Sequence, residues 1–196
     1  MMRKGLGFQV MALAGLLSMT LLVSCGDTVS EYCTAPCYLY IDNQTHNDAM
    51  LAQAMTQYSG VFVTITTTTQ SGAQYFVFTN NQGGSSRVAF DAKDKLRHQN
   101  GQLILGMNGG LIVGYGNLSG EFYAYDRECP NCFDPNALPV RSYRLTVSSA
   151  GIATCANCHR TYDLNNKGLV ASGEGGKKMS RYPATTTGAN GILIVR

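Results

Sequence analysis

Two closely spaced cysteine pairs constrain this chain more than any other feature in it. Cys129-Pro-Asn-Cys132 is followed about 20 residues later by Cys155-Ala-Asn-Cys158-His159. A CxxC turn aims two sulfurs at one point. Two such turns, brought together by flanking strands, supply the tetrahedral four-sulfur set that zinc or iron prefers. The spacing therefore predicts a metal held by Cys129, Cys132, Cys155 and Cys158, and it leaves the occupant open. Structural Zn2+ would fill all four positions and leave none for substrate. Iron, as a single ion or as a 2Fe-2S cluster, would make the same cysteines an electron carrier. Covalent haem is a third occupant, because Cys155 to His159 also satisfies CxxCH, with Met179 as the available second axial ligand. Disulfides are the metal-free alternative.

The N-terminus places these thiols outside the cytosol. Arg3 and Lys4 precede an apolar run from Met11 to Val23 that is too short to span a bilayer comfortably, the pattern of a secretory signal over residues 1–24. Its end, Leu22-Val23-Ser24-Cys25, resembles the lipobox of bacterial lipoproteins. That resemblance implies cleavage before Cys25, a diacylglycerol thioether on its sulfur, and attachment to the membrane through N-terminal acyl chains. Residues 25–32 then read as a lipidated tether, and Gly26 resembles the pattern sorted to the outer membrane. Setting Cys25 aside leaves six cysteines, an even number. Cys33-Thr-Ala-Pro-Cys37 is expected to close a local disulfide that locks a turn.

The body, 33–196, reads as one β-rich domain. Charged residues make up only 14% of the chain and the net charge is +3, with no basic stripe interleaved with aromatics, which argues against a nucleic-acid partner. Alternating β-branched and aromatic runs predict strands at Tyr38 to Ile41, Val61 to Thr67, Gln74 to Thr79, Arg87 to Phe90, Glu121 to Asp126, Arg141 to Val147, Gly151 to Thr154, Tyr162 to Leu164, Leu169 to Val170 and Ile192 to Val195. Leu103 to Leu105 and Leu111 to Val113 flank Gly106-Met-Asn-Gly-Gly110 as a hairpin. One short helix is expected near the N-terminus, with Leu51, Ala54, Met55 and Tyr58 on its apolar face, Thr45 or Asn47 as cap and Gly60 as stop. Asp91 to Asn100 reads as a solvated connection holding His98. Gly114-Tyr-Gly116 lacks the third glycine of a phosphate-cradling loop.

From about Gly101 onward the chain resembles the Rieske iron-sulfur family. The resemblance rests on Phe122-Tyr-Ala-Tyr-Asp126 running into Cys129, then Gly151-Ile-Ala-Thr-Cys155-Ala-Asn-Cys158, Tyr162-Asp163-Leu164, Gly168, Arg181-Tyr182-Pro183 and the terminal strand. It implies an antiparallel β fold with metal ligands on two loops. The family pairs two cysteines with two histidines. Here Asn131 stands where the first histidine should be, beside Cys132, and Cys158 replaces the second. An all-thiolate site on that fold is the expectation. His159 reads as a surface neighbour of the sulfurs.

No nucleophile and base pairing is apparent, so the chain is expected to be no enzyme. A CxxC thiol oxidoreductase would place its cysteines at a helix N-terminus, whereas Cys129 follows a strand. The reading is thus an envelope lipoprotein with a four-cysteine metal site, zinc first and iron second. Its aromatic and Thr-rich strands are suited to a protein or glycan partner of unknown identity.

Overall fold

Alternation of apolar and polar residues sets the architecture. In β2 (Phe62–Gln70) Val63 and Ile65 point to one face, while Phe62 and Thr64 point to the other. β2 turns through Ser71 and Gly72 into β3 (Ala73–Asn80), with Ile65 opposite Phe78 and Thr67 opposite Phe76. β4 (Ser85–Ala89), β5 (Gly110–Tyr115) and β6 (Phe122–Asp126) complete a five-stranded sheet in the order β4-β3-β2-β5-β6. The computed structural model describes residues 30–196, of which Glu31–Arg196 form one unit. The signal segment, the acylation of Cys25 and the tether up to residue 29 lie outside the described residues.

Two smaller sheets cover the large one. β1 (Leu39–Asp42), β12 (Ile192–Val195) and β11 (Ala184–Thr186) form a three-stranded sheet in that order. β7 (Leu145–Val147), β8 (Ile152–Cys155), β9 (Thr161–Asp163) and β10 (Leu169–Ser172) form a four-stranded meander. All pairs are antiparallel, so the fold is mostly β, as the alternating runs predict. One core gathers Ile41, Leu51, Val63, Ile65, Phe76, Phe78, Val113 and Leu193 between the large sheet, the three-stranded sheet and a helix. A second gathers Phe62, Ile112, Tyr123, Tyr125, Leu145, Tyr162 and Met179 between the large sheet and the meander. Each such side chain contributes about 1.5–3 kcal/mol by leaving water. Because β5 and β6 belong to the same sheet as β2, β3 and β4, the half that carries the two CxxC turns shares its framework with the first half.

The helical content departs from expectation. In place of one helix the chain forms α1 (Asn43–His46) and α2 (Ala49–Ala54). Asp42 and Asp48 cap them, accepting from the Gln44 and Leu51 backbone N–H groups, and Asn47 breaks the run with φ 50°. Leu51, Ala54 and Met55 are buried as expected, but the helix has ended before Tyr58, which is exposed. The expected solvated connection contains α3 (Ala92–Gln99), started by a reciprocal capping box between Asp91 and Asp94. His98 on it is exposed. The expected hairpin at Gly106 to Gly110 is absent. Gly106–Asn108 form a 3-10 turn, Ile104 bridges to Tyr38, and β5 is paired on both sides by β2 and β6, which leaves no edge for Leu103 to Leu105.

Two buried charges pin the connections. Asp126 accepts from the Met107 and Glu128 N–H groups at 2.7 and 2.8 Å and from the Tyr182 hydroxyl at 2.8 Å. Arg181 forks to Glu31 and Glu121 at 2.6 Å each and lies over the rings of Tyr32 and Tyr123, so Glu31 and Tyr32, expected to belong to the tether, are clamped to the folded unit. Among the described residues no helix is long and apolar enough to cross a membrane.

Candidate metal centre

The two knuckles hang from opposite sides of the second core. Cys129 follows β6 after the buried Glu128, and its N–H donates to Tyr143 O at 2.9 Å; the chain then turns tightly, with the Cys132 and Phe133 N–H groups both donating to Cys129 O. Cys155 is the last residue of β8, and its N–H donates to Arg160 O at 3.0 Å, closing the β8–β9 loop that carries Cys158. His159 follows in the left-handed region with φ 58°, a conformation in which histidine is among the enriched residues.

The four sulfurs converge. All lie within 4.8 Å of one another. Contacts cross between knuckles, Cys129 to Cys158 at 3.7 Å and Cys132 to Cys155 at 3.8 Å. These are free thiols, since a disulfide needs sulfurs near 2.05 Å. A regular tetrahedron whose corners lie about 2.3 Å from its centre, the zinc–thiolate bond length, has edges of about 3.8 Å; the two contacts between knuckles match that edge, and all the others stay within 4.8 Å. A single ion thus fits the donor set and the spacing. Two irons with bridging sulfides would require the thiolate pairs to move apart.

The surroundings act on the sulfurs in both directions, raising the thiols of Cys129 and Cys132 and lowering that of Cys158. Tyr162 OH lies 3.3 Å from Cys129 Sγ, and Asn157 Nδ2 donates to Cys132 Sγ at 3.3 Å. Burial pushes the Cys129 thiol up to about 12, against the lowering effect of Tyr162 and of the Asn131 N–H. Burial also acts upward on Cys158, but the backbone N–H and guanidinium of Arg160 outweigh it and bring that thiol down to about 6. Four thiolates around a divalent ion carry a net charge of −2, and these donors spread it.

Asn131 stands where the resemblance would place a histidine, and it does structural work there. Its amide donates to Tyr162 OH and to Lys177 O at 2.9 Å each, and accepts from Lys177 N–H at 2.9 Å. It therefore fixes the tyrosine and fastens the 173–178 loop over the knuckles. His159 is exposed and outside the sulfur group, and Met179 is buried in the second core. A reactive dithiol is poorly served by Cys129, which is buried with its thiol raised. Cys33 and Cys37, expected to be bonded, are free thiols in this structure, and burial pushes Cys37 up to about 12. Neither joins the four-sulfur group.

The sequence marks Tyr162 only through the expected Tyr162-Asp163-Leu164 strand and Asn131 only as a missing histidine; nothing in it places either beside the sulfurs. Both depend on the pairing of β8 with β9 and on the return of a loop some forty residues away. A second cluster, His46 with Asp91 and Asp94, is accounted for by the capping of α3 and by a 2.9 Å contact from His46 Nε2 to Asp94. Comparison with family models, with curated proteins and with solved structures finds no match to this chain.

Proposed function

We propose that this protein is a non-enzymatic bacterial lipoprotein of the cell envelope, whose β body is stapled by zinc at Cys129, Cys132, Cys155 and Cys158. The observation that carries the reading is the convergence of four sulfurs from two separate loops, all within 4.8 Å of one another and in contact between loops at 3.7 and 3.8 Å. A closed set of four thiolates has no open position for substrate. The ion's part is structural: it ties the loop after β6 to the β8–β9 hairpin. Lipid on Cys25 would hold the body at the membrane, with the outer membrane as its destination. The Rieske-like scaffold is supported by the order of its parts, a strand delivering Cys129, a strand ending at Cys155, and Asn131 occupying the place of a ligand.

Iron at the same thiolates, as an electron carrier, is the second reading. It is favoured by the half-buried position of Cys132 and Cys158, which brings the site near the surface, and by the donors aimed at sulfur. One preparation tests both. Protein recovered from a bacterial envelope is analysed for metal, visible spectrum and intact mass. A colourless sample with one zinc per chain and a diacylglyceryl mass on Cys25 is expected. A reddish-brown sample that bleaches reversibly transfers the site to iron. Absence of any stoichiometric metal, with the four cysteines in disulfides, overturns both readings.

A further inference from the structure

The face of the five-stranded sheet that meets the meander changes character along its length. Phe62, Ile112, Tyr123 and Tyr125 fill the second core. Beyond them the register places Thr64 and Thr66 of β2, Thr79 of β3 and then Arg127 on the same face. β7 stands opposite with Leu145, Thr146 and Val147, and the gap between them is a cleft of about 240 Å³. Asn81 holds its walls together. It accepts from Phe62 N–H at 3.1 Å and donates to Ser148 O and Ser149 O at 3.2 and 3.3 Å.

Arg127 reaches this cleft because Gly110 has no side chain. A Cβ at Gly110 would sit 3.0 Å from Arg127 Cδ and 3.2 Å from its Cβ, so the stem lies directly across the glycine, next to Thr66. The guanidinium makes no direct ion pair among the described residues, and Glu128 acts on it only at longer range. No acidic residue lines the cleft. The adjacent Glu128 is occupied by Asn108 Nδ2 at 2.7 Å, Ser142 Oγ at 2.6 Å and the Tyr143 N–H, with Arg144 beyond. Arg127 Nε is fully buried and makes no hydrogen bond among the described residues. An Nε–H withdrawn from water without a partner is costly, and the planar fork of donors it belongs to, half-buried as a residue, is matched by two oxygens of one anionic group.

We infer that this cleft is a binding site for a small oxyanion, a carboxylate or phosphate group on a compact polar molecule, held by the Arg127 guanidinium with Thr64 and Thr66 beside it. The volume admits one such group with a few attached atoms, well below the size of a nucleotide pocket. The site is independent of the metal, although Arg127 lies two residues before Cys129.

The test is NMR titration of the full chain, following the Arg127 Nε–H resonance. Inorganic phosphate, acetate and glucuronate are the probes, with glucose and chloride as controls. A saturable shift with a dissociation constant near or below about 1 mM is expected for at least one oxyanion and for neither control. Phosphate alone points to a phosphorylated ligand, and acetate with glucuronate points to a carboxylate. R127Q should weaken binding at least about tenfold and T66V several-fold. G110A, which displaces the stem, should weaken it even where R127Q does not fold. The inference is overturned if no oxyanion gives a saturable shift, or if all the variants that fold bind as tightly as the natural chain.

Discussion

Replacing Tyr162 by Phe removes one oxygen from the wall of the sulfur cluster and leaves the ring in place. The hydroxyl receives a hydrogen bond from Asn131 Nδ2 at 2.9 Å, which directs its own hydrogen to Cys129 Sγ, 3.3 Å away. A hydrogen bond to an ionised partner contributes about 1.5–3 kcal/mol, and each 1.4 kcal/mol is tenfold in affinity. Zinc affinity should therefore fall roughly tenfold to a hundredfold, the range seen when partners of metal ligands are removed. The metal-free fold should lose much less, about 1 kcal/mol or under, because Asn131 retains both of its contacts to Lys177. Burial holds the Cys129 thiol up near 12 and the tyrosine counteracts it, so without the hydroxyl the thiol rises further. Binding needs the thiolate, and the pH at which zinc is half bound should move upward. The assay is competition against a chromophoric chelator across pH, paired with urea unfolding of metal-free protein. An affinity within about twofold of the natural chain refutes the reasoning. So does a metal-free stability loss as large as the loss in binding.

Two further outcomes follow from the fold. Gly168→Ala meets a positive φ of 68° and puts a Cβ 2.7 Å from Met179 Cβ and 2.9 Å from Tyr125 Cε1; urea denaturation should show a loss of about 2–5 kcal/mol from backbone strain plus overpacking, and a loss below about 1 kcal/mol would contradict the packing described. The hydrogen bond that His46 donates to Asp94 holds the imidazole above its ordinary value despite burial, and burial of Asp94 is outweighed by His46 and the Asp91 backbone, which leaves that carboxyl low. The histidine's contribution is then complete below its unfolded value of about 6.5 and lost as pH rises through its folded value, while the aspartate's is lost only as pH falls through its own lowered value. Unfolding midpoints should decline from pH 6 to 8 in the natural chain, and that decline should vanish in His46→Gln.

The parts legible in the sequence were those whose signal is local. β2, β3, β6 and β12 announce themselves by alternating β-branched and aromatic residues, and the four ligands by spacing within each turn. α3 was hidden because its residues are polar and its one large apolar side chain, Leu96, faces solvent; the Asp91 and Asp94 pair three residues apart was the available sign. The break at Asn47 was hidden because each half has a cap of its own, Asp42 and Asp48, in place of the single Thr45 or Asn47 expected. The proposed hairpin at Gly106 failed for a tertiary reason, since β5 had already satisfied both of its edges. β11 is three residues long and follows Pro183, too little pattern to register. The cleft at Arg127 could not be foreseen at all, because it exists only once β2, β3 and β7 are side by side.

The pairing of β1 with β12 joins the beginning of the body to its last few residues. A sheet made that way cannot assemble on a nascent chain, because Leu39 finds its neighbour only after Val195 has been synthesised. Closing so long a loop costs more entropy than any of the local hairpins and slows the search for it. The β1–β12–β11 layer thus waits for β12, the last strand of the fold, and is the last of the three sheets the chain can complete.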